Sequence, residues 1–125
     1  MPSKNPKSSI LVVDDDSTIV SFLEMALSFE GFNCLTATSG EEAVKLVQHF
    51  KPSLILLDIS MPRMDGRDFC QWLHTNGHCG IPVVVMTAGQ NAARTQEEVG
   101  AQDCLAKPFD LSELRSCVER WTRNT

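Results

Sequence analysis

Three stretches of this chain are apolar at every position: Ile10-Leu11-Val12-Val13, Leu54-Ile55-Leu56-Leu57 and Val83-Val84-Val85-Met86. Unbroken runs of this length are expected of strands covered on both faces in a parallel sheet, since a half-solvated strand alternates instead. Between the runs the spacing turns helical. Ile19, Phe22, Leu23 and Ala26 fall at i, i+3, i+4 and i+7, which predicts one apolar stripe, with Ser17 as N-cap and Gly31 as the stop. Ala43, Leu46, Val47 and Phe50 repeat the pattern behind Ser39 and Glu42, a capping-box pair, and Pro52 closes the segment. Phe69, Trp72 and Leu73 predict a third helix ending near Gly77; Leu114, Cys117, Val118 and Trp121 predict a last one, capped by Asp110 with Glu113 at N3. Residues 91–99 carry few apolar side chains and predict a mostly solvated helix. Residues 34–37 and 104–106 are short and less apolar, and their place between helical stretches predicts the two remaining strands.

Five strands alternating with five helices, joined by right-handed crossovers, predict a doubly wound α/β fold with a five-stranded parallel sheet. Ligands bind such sheets beyond the carboxyl ends of the strands. At those ends stand Asp14, Asp15 and Asp16 after the first run, Asp58 after the second, Thr87 after the third and Lys107 after the last short strand. Unit charges 4 Å apart interact by about 4 kcal/mol at an effective dielectric near 20, so clustered carboxylates call for a counter-ion. Hard oxygen donors with no His or Cys beside them in sequence favour Mg²⁺, which keeps waters and shares phosphate oxygens. A carboxylate such as Asp58 can act as nucleophile toward a phosphoryl group, with Lys107 and the Thr87 hydroxyl placed to stabilise its equatorial oxygens. The constellation suggests phosphoryl transfer.

Composition narrows the picture. A chain of 125 residues that is 42% hydrophobic fills one core, and the expected organisation is an N-terminal extension over residues 1–8 and one domain over residues 9–125. A net charge of −5 argues against direct nucleic-acid binding, and no apolar run approaches the roughly 20 residues needed for membrane insertion. The first residues lack the apolar stretch of a secretory signal. Five cysteines without C-x-x-C spacing disfavour a disulfide framework or a zinc knuckle, and point to a reducing cytoplasm. His74, His78 and Cys79 straddle Asn76-Gly77, which breaks any common metal-binding face. Trp72, Trp121, Cys34, Cys70 and Cys117 read as packing residues, whereas Cys104 is expected close to the candidate site.

Four motifs taken together resemble the receiver domain of two-component response regulators, over about residues 10–121: Ile10-Leu11-Val12-Val13-Asp14-Asp15, Leu57-Asp58-Ile59-Ser60-Met61-Pro62-Arg63-Met64-Asp65-Gly66, Val85-Met86-Thr87-Ala88 and Lys107-Pro108-Phe109. The resemblance implies a flavodoxin-like sheet of order 2-1-3-4-5. It implies that Asp58 accepts a phosphoryl group from a phosphohistidine, on a histidine kinase or a His-containing phosphotransfer protein. Mg²⁺ would be held by Asp14, Asp15, Asp58 and the Ser60 carbonyl, with Asp15 a direct ligand and Asp14 acting mainly through water. Thr87, the Ala88 N–H and Lys107 would bond the phosphoryl oxygens, and the Lys107–Pro108 peptide would be cis. Switched binding of a downstream protein, and a dimer formed after phosphorylation, are further implications; no catalysis is implied beyond self-catalysed gain and loss of the phosphoryl group.

The chain departs from the resemblance at Cys104, where many relatives carry the aromatic half of a Thr–aromatic switch; the chain has no Tyr. Ser60 and Gly89 are small, which leaves room for water to attack the acyl phosphate. Two rival readings remain at this stage. Asp14-x-Asp16-x-Thr18 also fits the D-x-D-x-T motif of haloacid-dehalogenase-like phosphatases, with Asp14 as nucleophile. The other is a receiver-fold binding module that is never phosphorylated.

Overall fold

The computed structural model describes residues 7–59, 66–88 and 92–122. Strands β1 (Lys7–Val13), β2 (Phe32–Ala37), β3 (Leu54–Asp58), β4 (Val83–Ala88) and β5 (Asp103–Lys107) form one sheet in the order β2-β1-β3-β4-β5. Every neighbouring pair is parallel. Helices α1 (Ser17–Phe29) and α5 (Leu111–Thr122) cover one face, and α2 (Gly40–Phe50), α3 (Gly66–Thr75) and α4 (Ala92–Val99) cover the other. Both the fold class and the strand order agree with the sequence reading.

The continuous apolar runs follow from this two-sided burial. Along β1, Leu11 and Val13 enter the core beneath α2 and α3, while Ile10 and Val12 enter the one beneath α1 and α5. β3 divides in the same way, with Ile55 and Leu57 on one side and Leu54 and Leu56 on the other. Each such side chain removed from water contributes about 1.5–3 kcal/mol, and these central strands are the largest reserve of stability in the fold. β2 and β5 are the sheet edges and only partly buried, so their sequences are less apolar.

Strand ends and helix caps differ from the sequence expectation in instructive ways. β1 begins at Lys7 and β2 at Phe32, earlier than the apolar runs. More important for the site, Asp58, Thr87 and Lys107 are strand residues, not the first residues of loops. Asp58 pairs with Met86, Thr87 with Ala106 and Ala88 with Lys107, because ladder hydrogen bonds use the backbone and ignore side-chain polarity. Asp16, not Ser17, caps α1: its side chain accepts from the Thr18 N–H at 2.9 Å and the Ile19 N–H at 3.4 Å. Ser39 caps α2 as expected, but Glu42 reaches past it to the N–H of Thr38 at 2.8 Å. Asp110 and Glu113 close a reciprocal capping box on α5.

The buried stripe of α1 is Val20, Leu23 and Leu27, turned by about one residue from the expected one; Phe22 is exposed and Ile19 and Ala26 are half-buried. Phe50 on α2 is likewise exposed. Trp72 and Trp121 sit at the rims of the two cores and not inside them. Trp72 stacks with Phe69 and with His78, and the Trp121 Nε1–H donates to Asp103 at 2.8 Å. Cys70 and Cys117 are buried as expected, whereas Cys34 is half-buried. No described helix is long and apolar enough to cross a membrane.

Candidate functional site

The chain leaves β1 for β2 on one side and later returns to β3 on the other, so the sheet has its switch point between β1 and β3. Open α/β sheets have their binding crevice at such a point, at the carboxyl edge. Asp14 directly follows β1 and Asp58 ends β3, which brings both carboxylates to the crevice.

Asp14 is fully buried and bound from three sides. Its N–H donates to the Ala37 carbonyl at 3.1 Å, its Oδ1 accepts from the Asp16 N–H at 2.9 Å, and its Oδ2 accepts from Lys107 Nζ at 3.0 Å. Asp58 is buried and Asp15 exposed, and carboxylate oxygens of all three aspartates lie within 4.8 Å of one another. The Lys107 side chain reaches from the edge strand β5 across the end of the sheet to Asp14, and its Nζ lies 3.8 Å from Asp58 Oδ1. Thr87, half-buried, stands one residue beyond the Asp58–Met86 rung on the adjacent strand. The Lys107–Pro108 peptide is cis.

Among the described residues, one ammonium stands among three carboxylates, a surplus of negative charge. Hard oxygen donors crowded in this way suit a small divalent cation, and the residues present fit Mg²⁺. The sequence-predicted residues Asp14, Asp15, Asp58 and Lys107 are thus brought together, and Thr87 stands at the end of the neighbouring strand. Ser60, Gly89, Met61 and Met64 lie outside the described residues.

Asp16 points elsewhere. Its carboxylate is engaged at the start of α1 and does not join the cluster, so the second acid of the D-x-D-x-T reading is occupied as a cap. Sequence reasoning missed Asp103, at the opposite end of β5 from Lys107. Its Oδ2 accepts from Arg120 at 2.9 Å and Trp121 at 2.8 Å, tying β5 to the last turns of α5. Only an acid opening a strand hinted at this, because its partners lie 17 and 18 residues downstream.

Gly66 opens α3, and its N–H donates to the carbonyl of Ile59, the residue after Asp58, at 3.2 Å. A Cβ at this position would stand 2.8 Å from Ile59 Cα, a backbone atom that cannot step aside. Gly66→Ala is expected to cost about 1–3 kcal/mol and to displace Ile59, the neighbour of Asp58. Urea unfolding measures the cost, and an unchanged midpoint would contradict the close approach.

Cys104 pairs with Val85 in the ladder, on the side facing α3 and α4, and is half-buried. Burial, and then the Asp103 carboxylate, push its thiol pKa up, so it is a neutral packing group at ordinary pH. Burial is also the main force that raises Cys34 and Cys117 to about 12 from 9.0, with Glu24 and Asp103 respectively adding to it. A raised folded-state pKa stabilises the fold fully below the unfolded value of 9.0, and that contribution is lost as pH rises toward about 12. Mild thiol labelling of the folded protein near neutral pH is therefore expected to modify exposed Cys79 first and to spare Cys34 and Cys117, which react only as alkali unfolds the chain. Prompt labelling of Cys34 or Cys117 at neutral pH would contradict this.

Comparison with known proteins agrees with the geometry. The family model described as "Response regulator receiver domain" matches residues 10–119. The "Probable transcriptional regulator ycf27" of Cyanophora paradoxa is 41% identical over 121 residues, covering 95% of this chain and 50% of that protein. The chain thus spans about half the length of the curated relatives it matches. Among solved structures, the signal receiver domain of a signal transduction histidine kinase from Syntrophus aciditrophicus superposes with a TM-score of 0.84 at 31% identity, covering 94% of this chain and 92% of that one. Vibrio cholerae chemotaxis protein CheY4 gives 0.85 at 26% identity, covering 92% and 98%.

Proposed function

The chain belongs to the response regulator receiver domain family, and from that premise we propose that it accepts a phosphoryl group on Asp58 from a phosphohistidine and thereby changes which protein it binds. Receivers of this family act in two-component signalling, bind Mg²⁺ at an acidic site, and interact with histidine kinases and downstream effectors. The observation that carries the reading is the gathering of Asp14, Asp15 and Asp58 at the sheet's switch point, with Lys107 reaching into the same crevice.

In the proposed reaction an Asp58 carboxylate oxygen attacks phosphorus, the O–P bond of an acyl phosphate forms, and the P–N bond to the donor breaks. The histidine leaves with the electron pair of that bond. Asp14, Asp15, Asp58 and the Ser60 carbonyl would hold Mg²⁺, which when bound neutralises charge on the phosphoryl oxygens. Lys107 Nζ, the Thr87 hydroxyl and the Ala88 N–H donate to those oxygens, where charge is greatest in the transition state. Lys107 thereby gives up part of its hold on Asp14, and the drawing in of Thr87 at the end of β4 moves the connection to α4. With Cys104 in place of a large aromatic, this coupling rests on Thr87 alone.

The phosphatase reading is less well supported, because both oxygens of Asp14 accept hydrogen bonds and Asp16 caps a helix. Incubation with a small phosphoryl donor tests the proposal. Incorporation of one phosphoryl group, labile to alkali and to hydroxylamine and dependent on Mg²⁺, is expected. Multiple turnover on phosphomonoesters would instead favour the phosphatase, and no incorporation with Mg²⁺ present would favour the unphosphorylated binding module.

A further inference from the structure

Helix α1 carries more apolar surface than the core uses. Val20, Leu23 and Leu27 are buried, yet Phe22, Met25 and Phe29 remain 45%, 73% and 87% exposed. These three recur at i, i+3 and i+7, so they form a second stripe on the helix. Leu111, the first residue of α5, is 43% exposed and joins them in lining a groove of about 280 Å³. Single surface phenylalanines are ordinary, but a contiguous apolar patch marks an interface.

We infer that this α1–α5 face pairs the chain with a second copy of itself, without any need for phosphorylation at Asp58. Area is the first argument. With roughly 200 Å² for a whole aromatic or Met side chain, the four residues leave on the order of 500 Å² of apolar surface per copy. Two copies face to face then cover about 1,000 Å² from these side chains alone, and the rim brings the total to the roughly 1,200–2,000 Å² of stable pairs.

Shape is the second argument. The face holds both a projection, Phe29, and a hollow. A cavity of about 150 Å³ already takes a benzene ring, so a two-fold axis can seat Phe29 of each copy in the groove of the other, the self-complementary arrangement of a closed dimer. Charge is the third. Two chains of net charge −5 repel, but among the described residues the charged ones lining the groove, Glu30 and Arg115, neutralise each other in a 3.2 Å ion pair. Acidic copies therefore meet here without like charges in contact, and salt, which screens the remaining repulsion, strengthens the pair.

Sedimentation equilibrium of the full, unphosphorylated chain from micromolar to near-millimolar concentration tests the inference. A reversible monomer–dimer equilibrium in the micromolar range is expected, tightening as salt is raised. Phe29→Glu, and Met25→Ser, which removes the apolar chain without adding charge, are each expected to weaken it by about tenfold or more. Phe50→Glu, a similar change at an exposed phenylalanine on the opposite face of the sheet, is expected to leave it intact. A monomer at every concentration would overturn the inference, as would a dimer indifferent to Phe29→Glu and Met25→Ser or one lost equally with Phe50→Glu. If the wild type is monomeric and Phe29→Glu slows transfer from a phosphohistidine protein but not from a small donor, the face belongs to the donor. Because the dimer needs no phosphoryl group, Asp58→Asn leaves it unchanged, so its failure and that of the Asp58 reading are separable.

Discussion

Asp58→Asn is expected to reduce phosphoryl incorporation by at least about a hundredfold, because the amide cannot form the acyl phosphate and, among the described residues, the neighbouring aspartates are otherwise engaged or exposed. Asp14 already accepts from Lys107 and from the Asp16 N–H, Asp15 lies at the exposed side of the cluster, and Asp16 caps α1. The variant should nevertheless fold. It removes one of three crowded like charges while keeping the 3.0 Å Lys107–Asp14 pair, so in metal-free buffer its stability is expected to match the wild type or exceed it by about 1 kcal/mol. Loss of incorporation together with a lost or weakened fold would reduce the result to misfolding. Undiminished incorporation would mean that a different group takes the phosphoryl.

Lys107→Met is expected to lower the stability of the fold in the absence of metal. Asp14 is fully buried, and removing the ammonium leaves its charge uncompensated beside Asp58. Breaking a buried pair in this way costs about 3–5 kcal/mol in a dry interior. Lys107 is partly open to solvent, so about 1–3 kcal/mol is the better figure, and the melting temperature should fall by roughly 3–10 °C in chelator. Added Mg²⁺ binds only the folded site and should return more stability to the variant than it gives the wild type, since the crevice is one charge more negative. Phosphoryl-dependent change, in contrast, should stay impaired with the metal bound. Equal melting temperatures for the two proteins in chelator would show that Lys107 does not compensate Asp14.

The central sheet was legible because β1, β3 and β4 are buried on both faces and the sequence has no choice but to be apolar there. The gathering of Asp14, Asp58 and Lys107 was legible for the same reason in reverse: a charged residue at the end of a strand must leave the core at the carboxyl edge. Exact strand ends were not legible, since Asp58, Thr87 and Lys107 stay in the ladder through backbone bonds that hydropathy cannot report. Asp16 and Ser17 are adjacent residues of equal capping chemistry, and only the turn of the chain after Asp14 decides between them. The α1 stripe was misplaced by about one residue because Phe22 looks like core by type, while Val20 and Leu27 are the side chains that face the sheet. Surplus apolar residues on one helix hide its buried face, and here the surplus is itself informative.

Trapping of the acyl phosphate tests the account most directly. After reaction with a small phosphoryl donor and Mg²⁺, borohydride reduces an aspartyl phosphate to homoserine, which peptide mass mapping locates. The account predicts a single homoserine at position 58, absent when Mg²⁺ is chelated. Homoserine at position 14, or at no aspartate at all, would contradict it.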